Sequence, residues 1–161
     1  MYDEVLNMIE KFTSWAEREG WVIKLSDMVL DVPEPIRERY EIIPEQWLSF
    51  ISKFSYISNA EQNMWFLTCN DYLDSCYDFE NISLEAAIGD DEWIQDIKSF
   101  WNSTFPIIMS VGGDYHYYAI DIDSGKVVEG WEPEFEETTD VAESFDEFIE
   151  KIISGDIVLV V

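Results

Sequence analysis

Val5, Met8, Ile9, Phe12, Trp15 and Ala16 recur at three- and four-residue steps and stop at Gly20, which predicts an amphipathic helix over residues 3–19. Trp21 to Leu25 is a short apolar run that reads as extended. Pro33 and Pro35 mark a connection or the first turn of a short helix running to Tyr40. Ile43-Pro44-Glu45 opens a further helix that carries Trp47, Leu48, Phe50, Ile51 and Phe54. Met64 to Thr68 reads as a strand, whereas residues 70–79 are acidic and aromatic and fit neither period. Ser83 is an acceptable N-cap for a turn over Leu84 to Ile88.

After Gly89, the positions of Trp93, Ile94, Ile97, Phe100 and Trp101 predict a helix over residues 92–102. Acids at its start and Lys98 near its end suit the helix dipole. Three strands follow, over 106–111, 115–121 and 127–131, joined by Gly112-Gly113-Asp114 and Asp123-Ser124-Gly125 as hairpin turns. Ser144 and Glu147 form the two ends of a capping box for a final helix with Phe145, Phe148, Ile149, Ile152 and Ile153 inside. Gly155 ends that helix, and Ile157 to Val161 is a last strand or a packed tail. The expectation is an α+β fold, a mainly antiparallel sheet flanked by helices. Residues 1–27 form an N-terminal helical extension and 28–161 the main body of a single globular unit.

Charge changes this picture most. Eleven of the 35 acids and six of the nine Lys and Arg lie in the first 53 residues, which leaves 24 acids against Lys98, Lys126 and Lys151 in the rest. The acidic part is also rich in Trp, Tyr, Phe, Ile and Val, so it buries enough apolar surface to offset the entropy of folding. The charge therefore belongs to the outside of a folded domain, where it repels itself. Its simplest use is capture of a basic partner. A sequence pI near 4.1 argues against direct binding of nucleic acid or anionic lipid, since phosphate contacts need Lys and Arg. The N-terminus lacks the pattern of a signal peptide and no run approaches a membrane span, so the expected location is cytoplasmic. An aromatic share of 16% exceeds what a core of this size usually takes and points to surface anchors.

Candidate chemistry is sparse. Cys69 and Cys76, two helical turns apart, read as buried reduced thiols, and no second pair completes a zinc site. His116, the only histidine, shares a strand face with Asp114 and Tyr118, but no serine or cysteine nucleophile lies near it in sequence. It reads as a structural strand histidine. A hydrolase built on Asp114, His116 or the Glu132/Glu134 pair is the enzymatic alternative. Asp121 to Gly125 begins like a calcium loop, yet its fifth and sixth positions are Gly125 and Lys126, so it reads as a β-turn. Ten acids crowd residues 129–150, as a solubilising surface or as a docking face for cations. No cofactor and no metal is expected.

One ordered set of motifs goes further. Thr104-Phe105-Pro106-Ile107 precedes Gly113-Asp114 and the strand Tyr115 to Asp121; Ser124-Gly125-Lys126-Val127-Val128, Gly130-Trp131 and Ser144-Phe145-Asp146-Glu147-Phe148-Ile149 follow. This order resembles the SUKH superfamily, which includes bacterial toxin-immunity proteins and fungal cell-wall synthesis regulators. Ile43-Pro44-Glu45 through Phe54 is similar to the family's early Leu-Pro helix, with Ser55 to Asn59 in place of the usual Asn-Gly-Gly. The resemblance spans residues 28–153. It implies a non-enzymatic protein that binds and blocks a polymorphic or contact-dependent toxin, often a nuclease. A regulatory adaptor for an endogenous cytoplasmic protein is the alternative that the fungal relatives suggest.

An acidic inhibitor suits a basic nuclease, because it covers the surface that holds phosphate and associates fast through steering. The expected partner-binding surface comes from two acidic aromatic segments. Asp71, Tyr72, Asp74, Tyr77, Asp78 and Glu80 make the first, and Asp114, Tyr115, Glu132, Glu134 and Glu136 the second.

Overall fold

Alternating side chains of one strand, Tyr117 and Tyr118, point to opposite faces of a sheet, and both are buried. Both faces of the sheet are therefore covered. A computed structural model describes residues 2–73 and 78–161, apart from the side chains of Tyr2, Tyr72 and Leu73. Its strands are β1 (Val22–Leu25), β2 (Phe54–Ser58), β3 (Met64–Phe66), β4 (Thr104–Ser110), β5 (His116–Asp121), β6 (Val127–Trp131) and β7 (Thr139–Ala142). They lie in chain order in one seven-stranded sheet, every neighbour antiparallel. The α+β expectation holds in full.

The helices are α1 (Tyr2–Glu19), α2 (Glu34–Arg39), α3 (Glu45–Ile51), α4 (Asp78–Ala86), α5 (Asp91–Ser103) and α6 (Phe145–Ser154). On one face, Phe12 of α1 meets Phe50 of α3, Phe54 of β2 and Phe66 of β3, while Phe148 of α6 meets Tyr118. On the other, Trp101 of α5 and Phe79 of α4 meet Tyr117. Each of these buried rings contributes up to about 1.5–3 kcal/mol relative to leaving it in water. Because Phe12 and the β1–β2 ladder share the common core, α1 and β1 pack with the rest of the chain.

The local structure departs from the sequence reading at three places. The helix opened by Pro44 stops at Ile51, and Phe54 begins β2 instead of ending the helix. Ser83 does not cap a turn: α4 begins at Asp78, and Ser83 is buried inside it with no partner for its hydroxyl among the described residues. The acidic run before Ser144 contains β7, which pairs with β6. Ser144, by contrast, caps α6 as expected, its Oγ accepting from Glu147 N at 3.1 Å. The Glu147 carboxylate reaches one residue further back than a standard capping box and accepts from Glu143 N at 2.6 Å. Residues 157–161 carry no strand, and the Val161 side chain lies against Gly112.

Candidate functional site

Phe79 lies in the first turn of α4, Tyr115 just before β5, and Phe135 in the acidic loop between β6 and β7. The fold stacks the three rings. Phe79 is parallel to Tyr115 at 5.5 Å and to Phe135 at 4.8 Å, with interplanar angles of 13° and 7°. The two acidic aromatic segments therefore meet at one place, on the α4–α5 side of the sheet.

Tyr117 holds the stack in position. Its hydroxyl donates to the Phe135 carbonyl, which pins the acidic loop onto the sheet. Burial first, and the nearby Glu136 second, push this phenol far above its ordinary pKa, so it stays a donor. The pairing of Tyr117 with Gly130 across β5–β6 makes the approach possible, since a Cβ on Gly130 would fall 2.7 Å from the Tyr117 oxygen. Tyr115 is fixed through its backbone: its carbonyl accepts from Glu132 N at 2.9 Å.

Around the stack stand Asp78, Asp114 and Glu134, all exposed, and the half-buried Glu132. Partial burial holds the Asp78 carboxyl above the usual range. Beside the stack a cleft of about 330 Å³ opens between α4 and the ends of β3, β4 and β5. Trp65, Met109 and Phe79 line it with Tyr115, while Ile82 and Val111, 37% and 38% exposed, stand at its lip. Asp78 and Glu85 line the same cleft, and no Lys or Arg does. Nothing in the sequence alone marks Trp65, Ile82, Glu85 or Val111; Ile82 and Glu85 follow Asp78 at four- and seven-residue steps, a helical stripe that shows only once α4 is known to start at Asp78.

The other expected residues divide. Glu80 is turned inward, 7% exposed, and receives both guanidinium nitrogens of Arg39 at 2.8 and 2.7 Å, so it ties α4 to α2. Asp71 accepts from the Thr68 amide and hydroxyl at 2.8 and 3.0 Å, holding a 3-10 turn over Cys69–Leu73. Glu136 places one carboxylate oxygen in a buried position without a hydrogen-bond partner among the described residues. Tyr72 lies in the 3-10 turn, and Asp74 and Tyr77, like Cys76, lie outside the described residues. Cys69 is buried and free, its thiol pushed up to about 11 by burial and, second, by Asp31.

His116 is built into the sheet. Its ring stacks on Trp131 at 4.4 Å and meets Tyr118 edge-on at 4.8 Å, and Nε2 lies 3.2 Å from Glu129. Asp121 closes a turn, its carboxylate accepting from Asp123 N and Ser124 Oγ, both at 3.0 Å, with Gly125 at φ +79°. No cluster of three potential metal ligands occurs among the described residues. No helix among them is long and apolar enough to cross a membrane.

No protein-family model, curated protein or solved structure matches the chain.

Proposed function

We propose that this chain is a non-enzymatic immunity protein that binds a basic toxin domain, a nuclease, and occludes its active surface with the acidic aromatic face around Phe79. One observation carries the reading: two acidic segments far apart in sequence converge on the Tyr115–Phe79–Phe135 stack, with Asp78, Asp114, Glu132 and Glu134 beside it. Phe79 and Phe135 are buried and hold the half-buried Tyr115 ring in place, so Tyr115 is the ring that offers contact area, and the surrounding carboxylates set encounter rate and choice of partner. The formal charge of −26 favours a cationic partner over any anionic one. The resemblance of residues 28–153 to the SUKH superfamily, which includes toxin-immunity proteins, agrees with the same reading. Binding needs no cofactor.

Co-expression with the protein encoded beside this chain's gene tests it. The expected result is a stable complex and restored growth of cells that carry the toxin. Growth arrest despite abundant folded protein, with no complex recovered at low salt, would refute the reading. A complex formed instead with an endogenous protein of no toxicity would move the function to a regulatory adaptor.

A further inference from the structure

Asp78, Ile82 and Glu85 stand at i, i+4 and i+7 on α4, so one stripe of the helix shows the cleft an acid, an aliphatic group and an acid. Seven residues of helix rise about 10 Å, which sets the distance between the two carboxylates. Behind the stripe, Trp65 and Met109 of the sheet give the cleft an apolar floor, with Val111, just past β4, at its lip. We infer that this cleft takes an amphipathic helix of the partner that presents the complementary stripe: a cation, an apolar side chain and a cation at the same spacing.

The inference rests on the proposed binding of a basic protein and adds the element it presents. Charge selects this occupant. A second copy of the chain would bring its own net charge of −26 against Asp78 and Glu85. A purely apolar helix would leave both carboxylates facing an uncharged, partly desolvated surface. A cationic stripe neutralises them and lets its central side chain bury against Trp65 and Ile82, which are half-buried and 37% exposed in the free protein. The aliphatic stems of Lys or Arg would cover the lip at Val111 while their charges reach the acids.

The test is calorimetric titration of the full chain with a sixteen-residue Ala-rich helical peptide that carries Lys at i and i+7 and Leu at i+4. Peptides with Ser for Leu, or Glu for both Lys, are the references. The expected result is binding to the wild type that weakens about tenfold or more with either reference peptide. Ile82→Ser and Glu85→Lys should each weaken it by as much. Glu10→Lys, the same charge change on exposed α1 across the sheet, should change it less than about twofold. Both cleft positions are exposed, and thermal melts establish that these variants fold. A second arm restores the pair: Glu85→Lys should regain affinity for a peptide with Glu at i+7. No binding of the first peptide at millimolar concentration, or binding indifferent to Ile82→Ser and Glu85→Lys, overturns the inference. If those variants leave capture of the co-expressed toxin intact while Glu132→Lys with Glu134→Lys abolishes it, the cleft is wrong and the immunity reading stands. If the peptide behaves as expected but the toxin is never neutralised, the immunity reading fails and the cleft stands.

Discussion

At the scale of single residues, Tyr117, Gly130 and Glu80 decide whether the ring stack exists. Gly130→Ala would drive a methyl into the Tyr117 ring, with contacts of 2.7–2.9 Å, and displace the hydroxyl from Phe135. Overpacking of this kind is expected to lower stability by about 1–3 kcal/mol in urea unfolding and to loosen the acidic loop. Glu80→Ala removes the bidentate carboxylate partner of a largely buried guanidinium, whose Nε keeps its bond to Asn102, so a loss of up to about 3 kcal/mol is expected in the same measurement. Alkaline pH offers a third check. Burial raises the Cys69 thiol from 9.0 to about 11 and lifts the Tyr117 and Tyr118 phenols above their usual range, helped by Asp31, Glu136 and Glu129 respectively. The unfolded chain gives up these protons first, so their contribution is whole below about pH 9 and is lost as the pH rises through about 11 and beyond. Urea midpoints should fall steeply over that window, and a midpoint unchanged there would mean the three groups are not buried as described. The direction each acid faces was not legible in the sequence. Glu80 looks like its neighbour Asp78, and its partner Arg39 lies 41 residues away.

At the scale of elements, the sequence was informative wherever a helix carried its own start and stop signals. Ser144, Glu147 and Gly155 announce α6, and the structure uses all three, Gly155 at φ +87°. Ser144→Ala should cost about 1 kcal/mol, seen as a lower urea midpoint with unchanged slope. The early helix α1 was equally plain, because its apolar stripe is unbroken. Two elements hid behind a competing period. Phe54 lies three residues after Ile51 and continues the stripe of α3, although the helix has ended and Phe54 starts β2. In α4, Ser83 looked like a cap because small hydroxyl residues favour caps. In the fold it is a buried interior position, and its loss to Ala should be close to neutral or stabilising, since the hydroxyl has no partner among the described residues. Strand β7 was hidden by composition: Thr139 and Asp140 sit at the sheet edge, where one side stays wet. Phe135 was legible in principle, as the one aromatic among the acids of that loop, but nothing local says that it turns inward.

At the scale of the whole molecule, the charge balance dominates. A formal charge of −26 on a folded chain makes the native state repel itself, and salt screens the repulsion over about 8 Å at physiological strength. Thermal midpoints should therefore rise with added sodium chloride. The convergence of the two acidic segments was foreshadowed by composition, whereas the cleft beside them was not, because it depends on Trp65, Met109 and α4 meeting across 44 residues of chain from Trp65 to Met109. The central claim is that the acidic aromatic face captures a basic protein. It is tested most directly by stopped-flow association of the purified toxin domain with the wild-type chain and with Asp114→Lys, Glu132→Lys and Glu134→Lys combined, at low and high salt. These three positions are better probes than Glu136, whose buried oxygen mixes binding with stability. The account predicts a wild-type on-rate that falls about tenfold or more with salt or with charge reversal, and a dissociation rate that changes much less. An on-rate indifferent to both would contradict it and leave the acids as a solubilising surface.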